Sequence, residues 1–442
     1  MTIRMDEGAA ELLDTLHRAG YAAYVVGGCV RDSLLGLTPH DWDLCTSALP
    51  QQVMELFGAQ RCIPTGLQHG TVTVKQSGAL YEITTFRTEG TYTDGRHPDE
   101  VHFVPDVRED LARRDFTINA MAYNEKEGLV DPFGGQTDLQ SGVLRAVGVP
   151  RQRFTEDALR ILRLHRFAAR FGFAIDPPTA QAAQELCAHL DCVSVERIEE
   201  ELAKLLSAPA PAAYLDEKIL GVVLPELSPE ALAAAKPVVD ACPAGERALP
   251  VRLAALLLSL GEDGTRRTLR RLRCSNACIE ETAVLVREVV SGVPGAFSSD
   301  TNRAIPSPAL LPAATGSHPS GRSSEKLPAR PPVSLNIYAR RLLGKYNLCT
   351  VQRIAALGTA LQPEHAADFA ALSELAEQLD ADGVCCRVSQ LAVNGRDLMA
   401  AGVPAGPGIR KVLEALLDGV IREEYPNERQ ALLAAVQQLA AP

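Results

Sequence analysis

A change of hydrophobic period near residue 155 constrains the fold of this chain more than any other feature. Before it, short apolar runs bounded by Gly, Pro and Asp recur at 21–26, 41–44, 70–74, 81–86 and 101–104, which reads as a set of strands behind a helix over 8–19 that stops at Gly20. After it, apolar residues return every three or four positions in stretches such as VERIEEELAKLL, RLAALLLSL and RKVLEALLDGVI. That is the spacing of amphipathic helices. The pattern predicts an α+β N-terminal head, a small mixed sheet with helices, followed by an all-α remainder. Residues 293–333, rich in Pro, Ser and Gly without periodicity, read as a flexible insertion that carries no chemistry.

The charge balance narrows the partners. With 55 Asp+Glu against 44 Lys+Arg the formal charge is -11, which excludes a broadly basic nucleic-acid coat, so any nucleic acid must be gripped through local charge. Residues 265–273 (TRRTLRRLR) hold five Arg and no acid, and Arg340, Arg341 and Lys345 form a smaller patch. Such clusters suit a phosphate backbone, unless acidic neighbours such as those at 280–288 absorb them. Aromatic residues make up only 5%, which disfavours serial base stacking on a single strand and favours shape recognition of a folded duplex. Eleven Cys without a C-x-x-C pair read as reduced thiols, and no run approaches the roughly 18 apolar residues of a membrane span. These features predict a cytoplasmic protein without a membrane partner.

The chemistry begins at YVVGGCVRDSLLGLTPHDWD, residues 24–43. A strand ends in Gly27-Gly28, where absent side chains let backbone N–H groups approach an anion, and Arg31 follows one turn later. Asp41 and Asp43 lie two positions apart in what reads as a strand, so both carboxylates share a face and suit a hard divalent cation such as Mg²⁺. Glu82, alternating to one face with Thr84, is a candidate third carboxylate. His40-Asp41 also suggests a metal phosphohydrolase, but the helical stretch 252–261 lacks the second His-Asp pair that reading needs.

The segment EDALRILRLHRFAAR (156–170) reads as one helix carrying Asp157, Arg160, Arg163 and Arg166 at steps of three, a stripe that winds slowly around it. Cytosine and adenine each present an amino donor beside a ring-nitrogen acceptor, whereas uracil and guanine present the reverse. An Asp beside an Arg complements the first pair and leaves the second with unpaired polar groups, a strong penalty. Arg163 and Arg166 then reach a triphosphate or stiffen the reading pair. The bland alternative is a solvated helix face with an internal Asp–Arg ion pair.

Together, residues 20–50, RRDFTINAMAYN (113–124), DPFGG (131–135), the 156–173 helix and NGRDLMAAGVPAGPGIRKVLEALLDGVIREEYPN (394–427) resemble the class II tRNA nucleotidyltransferases and bacterial poly(A) polymerases. The resemblance covers nearly the whole chain outside 293–333. It implies addition of CMP, CMP and AMP from CTP and ATP to the 3′ end of tRNA, with release of pyrophosphate. Asp41 and Asp43 would hold two Mg²⁺ ions, Gly28 and Arg31 would contact the triphosphate, and Arg114 with Asp115, the latter at the ribose, would join Asp157, Arg160, Arg163 and Arg166 in nucleotide binding. The implied domains are a catalytic head (1–145), a base-reading neck (146–207), a body (208–292), the insertion (293–333) and a tRNA-binding tail (334–442). The polar loop 87–103 resembles the element the family needs for A addition. An enzyme adding only A, to tRNA or as a poly(A) polymerase, and a catalytically silent RNA-binding relative are the rival readings.

Overall fold

The computed structural model describes residues 3–90, 101–290 and 334–439, so the expected insertion and the centre of the 87–103 loop lie outside the described residues. The chain divides into two compact units, Met1–Pro225 and Glu226–Pro442.

The first unit opens with α1 (Glu7–Arg18), which starts where the Asp6 carboxylate accepts the N–H groups of Gly8 and Ala9 at 3.1 and 3.3 Å and buries Leu12, Leu13 and Leu16. There follow β1 (Ala23–Val26), α2 (Gly28–Leu34), β2 (Leu44–Thr46), α3 (Pro50–Phe57), β3 (Cys62–Gly66), β4 (Thr71–Gln76) and β5 (Ala79–Thr85). Next come β6 (Arg87–Glu89), β7 (Val101–Phe103), α4 (Val107–Ala112), β8 (Ala122–Asn124) and β9 (Gly128–Val130). Seven strands form one sheet in the order β3-β4-β5-β2-β1-β8-β9, while β6 and β7 make a separate antiparallel ribbon. Only β2 and β5 run parallel in the large sheet; its other pairs are antiparallel. Along β5 the side chains of Tyr81, Ile83 and Thr85 go into the core and Glu82 goes outward. Strands β3, β8 and β9 have five, three and three residues and no alternation, which is why periodicity did not mark them.

Helices then dominate: α5 (Gly135–Ser141), α6 (Pro150–Glu156), α7 (Leu159–Phe171), α8 (Pro177–Leu186) and α9 (Val195–Leu206). Among the described residues past 155 the exception is β11 (Ala174–Ile175), which pairs in parallel with β10 (Val143–Leu144).

Two expectations need correction. Asp41 and Asp43 precede β2 instead of lying in it. The backbone explains this: Val26 N–H donates to the Asp43 carbonyl at 2.9 Å, and β1 then turns away at Gly27, leaving residues 41 and 42 without a ladder partner. The expected single helix over 156–170 is also broken. Asp157 is extended (φ -145°, ψ 105°) and its carboxylate accepts the Leu159 N–H at 3.0 Å, so it ends α6 and caps α7.

The second unit is helical in its described residues, from Pro229–Ala241 to Arg429–Leu439. Its last helices close over Val393, Leu398, Leu416, Val420, Leu432 and Val436. Among the described residues no helix is long and apolar enough to cross a membrane.

Candidate active site

Sheet topology assembles the carboxylates. Because β2 and β5 are parallel with Leu44 opposite Ile83, the residues just before each, Asp43 and Glu82, fall side by side. Antiparallel pairing of β1 with β2 brings Gly27 to the same end. Asp43 is open to water yet surrounded by protein. That surrounding mass raises its carboxyl pKa above the ordinary value, with Arg114 opposing and the charges of Glu82 and Asp41 adding to the rise. Asp41 and Glu82 are exposed. The trio is not a closed cage: among the described residues no three His, Cys, Asp or Glu side chains are gathered for metal ligation. Its donor chemistry nonetheless fits Mg²⁺, since all donors are carboxylate oxygens and their mutual repulsion is what a hard cation relieves.

The glycine turn separates two roles. Gly27 has φ +76°, a conformation that demands glycine, and a Cβ there would stand 2.8 Å from Arg114 Nη1 and push that guanidinium aside. At Gly28 a Cβ would meet only Arg31 Nη2 at 3.6 Å, an ordinary contact. No protein atom requires its absence.

Arg114 is the cation closest to this arrangement. Its Nη2 lies 3.4 Å from Asp110, and its Nε is buried without a hydrogen-bond partner. Burial opposes the ionisation of Asp110, but Arg113 and Arg114 outweigh it and hold the carboxyl below the usual range. Arg31 departs from the expected triphosphate contact. It is 4% exposed, and all three of its nitrogens have partners inside the fold: Asp32 with Nε (2.8 Å) and Nη2 (2.7 Å), and Asn119 with Nη1 (2.5 Å). Asp115 likewise keeps no oxygen free for a ribose. One oxygen accepts from Phe116 N (2.8 Å) and Asn119 Nδ2 (3.0 Å), the other from Arg163 Nε (2.9 Å) and Nη2 (2.7 Å).

The reading stripe is present but differently partnered. Asp157 pairs with Arg197 at 2.8 Å and not with Arg160. Arg160 donates to Glu156 (2.7 Å) and to the carbonyls of Arg153 (3.2 Å) and Arg113 (3.1 Å). The two side chains still flank one helix break, joined by Arg160 N–H to the Asp157 carbonyl at 3.1 Å. Arg163 meets Asp115 and, at 3.6 Å, Glu201; Arg166 Nε meets Glu201 at 2.5 Å. Arg197 and Glu201, one turn apart on α9, therefore organise the stripe, and sequence reasoning passed over both. The available signal was Glu201 itself, an acid on the face of Ile198, Leu202 and Leu205, where it is 5% exposed.

The arginine cluster at 265–273 is partly absorbed: Arg266 pairs with Glu262 and Glu280, and Arg271 with Glu226, while Arg267 and Arg270 stay exposed. Arg340 and Arg341 pair with Glu423 and Asp418.

Comparison with known proteins places the chain in a family. Residues 23–145 match the family described as "Poly A polymerase head domain", 172–230 the "Probable RNA and SrmB-binding site of polymerase A", and 334–436 "tRNA nucleotidyltransferase domain 2". The head domain and the relatives that follow define a nucleotidyltransferase. The CCA-adding enzyme of Limosilactobacillus fermentum is 36% identical, covering 98% of this chain and 97% of that protein, and that of Geobacillus stearothermophilus is 34% identical over 96% and 95%. A crystal structure of the Bacillus stearothermophilus CCA-adding enzyme in complex with CTP superposes with a TM-score of 0.76 at 30% identity, over 98% of each chain. This chain belongs to the family of CCA-adding enzymes.

Proposed function

We propose that this protein adds CMP, CMP and AMP in turn to the 3′ end of tRNA, using CTP and ATP without a nucleic-acid template and releasing pyrophosphate. The observation that carries the reading is Asp43 set beside Glu82 by the parallel pairing of β2 with β5, within the fields of Asp41 and Arg114 and next to the Gly27-Gly28 turn, in a chain similar throughout its length to CCA-adding enzymes. Asp41 and Asp43, with Glu82, would hold Mg²⁺. Held there, such ions would supply acidification of the attacking 3′-hydroxyl and neutralisation of the leaving pyrophosphate.

The chain's own groups do the rest. The open backbone at Gly28 admits the triphosphate, and the part-exposed guanidinium of Arg114 sets a positive charge beside it. Asp157, held by Arg197, accepts from the amino group of cytosine or adenine, and Arg160 donates to the adjoining ring nitrogen. Arg163 and Arg166 place positive charge next to the phosphates. By this reading residues 1–145 are the catalytic head, 146–207 the base-reading neck, 208–292 the body and 334–442 a tail gripping tRNA, with exposed Arg267 and Arg270 supplying phosphate contacts from the body. The cytoplasm, where tRNA and both triphosphates reside, is the working compartment.

The test supplies Mg²⁺ and labelled CTP or ATP with tRNA transcripts lacking CCA, ending in C, or ending in CC. The expected result is C addition to the first two and A addition only to the third. Incorporation of ATP alone, after CC, would move the protein to the A-adding enzymes, and no incorporation by folded protein would make it a silent binder.

A further inference from the structure

Phe167 sits in the middle of α7 with 5% of its surface exposed, and three guanidinium carbons lie over its ring: Arg166 at 3.9 Å, Arg31 at 5.2 Å and Arg163 at 5.4 Å. One turn later Phe171 stacks on it (6.1 Å, 3° between planes) and takes Arg31 at 5.0 Å and Arg170 at 4.9 Å. Phe116 closes the cluster edge-on at 5.9 Å. Among the described residues these four arginines pair with three carboxylates, Asp32, Asp115 and Glu201. One positive charge is in excess, with Arg31, Arg163 and Arg166 packed against the rings and Arg170 42% exposed at the edge of the cluster.

Rings and carboxylates stabilise a buried guanidinium differently. A carboxylate does so by cancelling the charge. A ring face attracts the cation through its quadrupole and leaves the charge intact. Resting on the triphosphate reading above, we infer that Phe167 is a positioning residue: its ring holds Arg163 and Arg166 in place as full charges, so that the excess remains available to the phosphates of either nucleotide. A leucine of similar bulk would fill the space but not hold the arginines. Another acid would hold them and cancel the charge the triphosphate needs.

The test replaces Phe167 with mono-, di- and pentafluorophenylalanine, which keep the ring's shape while weakening and then reversing its quadrupole. KM for CTP and for ATP, kcat, thermal stability and CTP-over-UTP selectivity are measured on tRNA lacking CCA and tRNA ending in CC. KM for both nucleotides should climb stepwise with fluorine content, reaching about three- to tenfold for the pentafluoro ring. Phe167→Leu should match that end point, and selectivity should stay put because the triphosphate is common to all nucleotides. If Phe167→Leu lowers the melting temperature while KM ignores fluorination, the ring is packing alone and the inference is overturned. A natural chain that transfers no nucleotide overturns the triphosphate reading and this inference with it.

Discussion

Asp115→Asn isolates what the buried contact between the RRDFT segment and α7 is worth. The substitution preserves shape but removes the charge that Arg163 grips through two hydrogen bonds at 2.9 and 2.7 Å. Breaking one partner of a buried ion pair costs about 3–5 kcal/mol. Arg163 retains Glu201 at 3.6 Å and its side chain is 32% exposed, which places the loss near the lower bound. For a unit the size of Met1–Pro225, about 3 kcal/mol corresponds to a melting-temperature drop of roughly 6–12 °C. The pH dependence gives the sharper check. Burial opposes ionisation of Asp115, but Arg163 and Asn119 outweigh it, so the folded carboxyl sits well below its usual pKa. Stability gained this way is complete above the unfolded value of about 3.9 and is lost as pH falls through the folded one. Thermal and urea unfolding of both proteins should show a constant gap from about pH 5 to 8, narrowing below about pH 4. A gap that is absent at neutral pH, or that persists undiminished in acid, refutes the assignment.

Other substitutions probe the site directly. Asp43 is the opposite electrostatic case: its raised pKa means that the charged form strains the fold above that pKa and the strain is relieved as pH falls through it. Asp43→Asn should abolish nucleotide transfer without lowering the melting temperature at neutral pH; a clear loss of stability would show that the carboxylate is structural. Arg197→Ala leaves Asp157 without its α9 partner, and CTP-over-UTP discrimination should fall about tenfold in competition assays. Full discrimination by the variant would remove α9 from base reading. Gly27→Ala forces a Cβ to φ +76°, ψ -120° and against Arg114, lowering stability by about 1–3 kcal/mol in backbone strain alone, read as a fall in melting temperature. Gly28→Ala should keep its melting temperature yet raise KM for both triphosphates, and an unchanged KM would deny the close approach of phosphate there.

The divide between what was readable and what was not follows from the range of the interactions. Amphipathic spacing is local, so α1, α9 and the helical second unit were legible, as was the alternation that turns Glu82 away from the core of β5. Residue types carried the chemistry as well: a glycine pair, two carboxylates and arginines at steps of three restrict a chain to phosphate, hard cations and polar edges before any fold is known. Three-residue strands such as β8 and β9 were invisible because they owe their pairing to neighbours elsewhere in the sheet. The same holds for partner choice. Arg31 looked like a phosphate ligand because its burial beneath Phe167 and Phe171 depends on residues more than 130 positions away. Asp157 looked like a partner for Arg160, the local solution, until α9 offered Arg197 across a packed interface. Sequence alone thus determined which functional groups this protein possesses and roughly where they lie along the chain. Only tertiary structure decided which of them are spent on one another, because a charge removed from water takes whatever partner packing brings within reach.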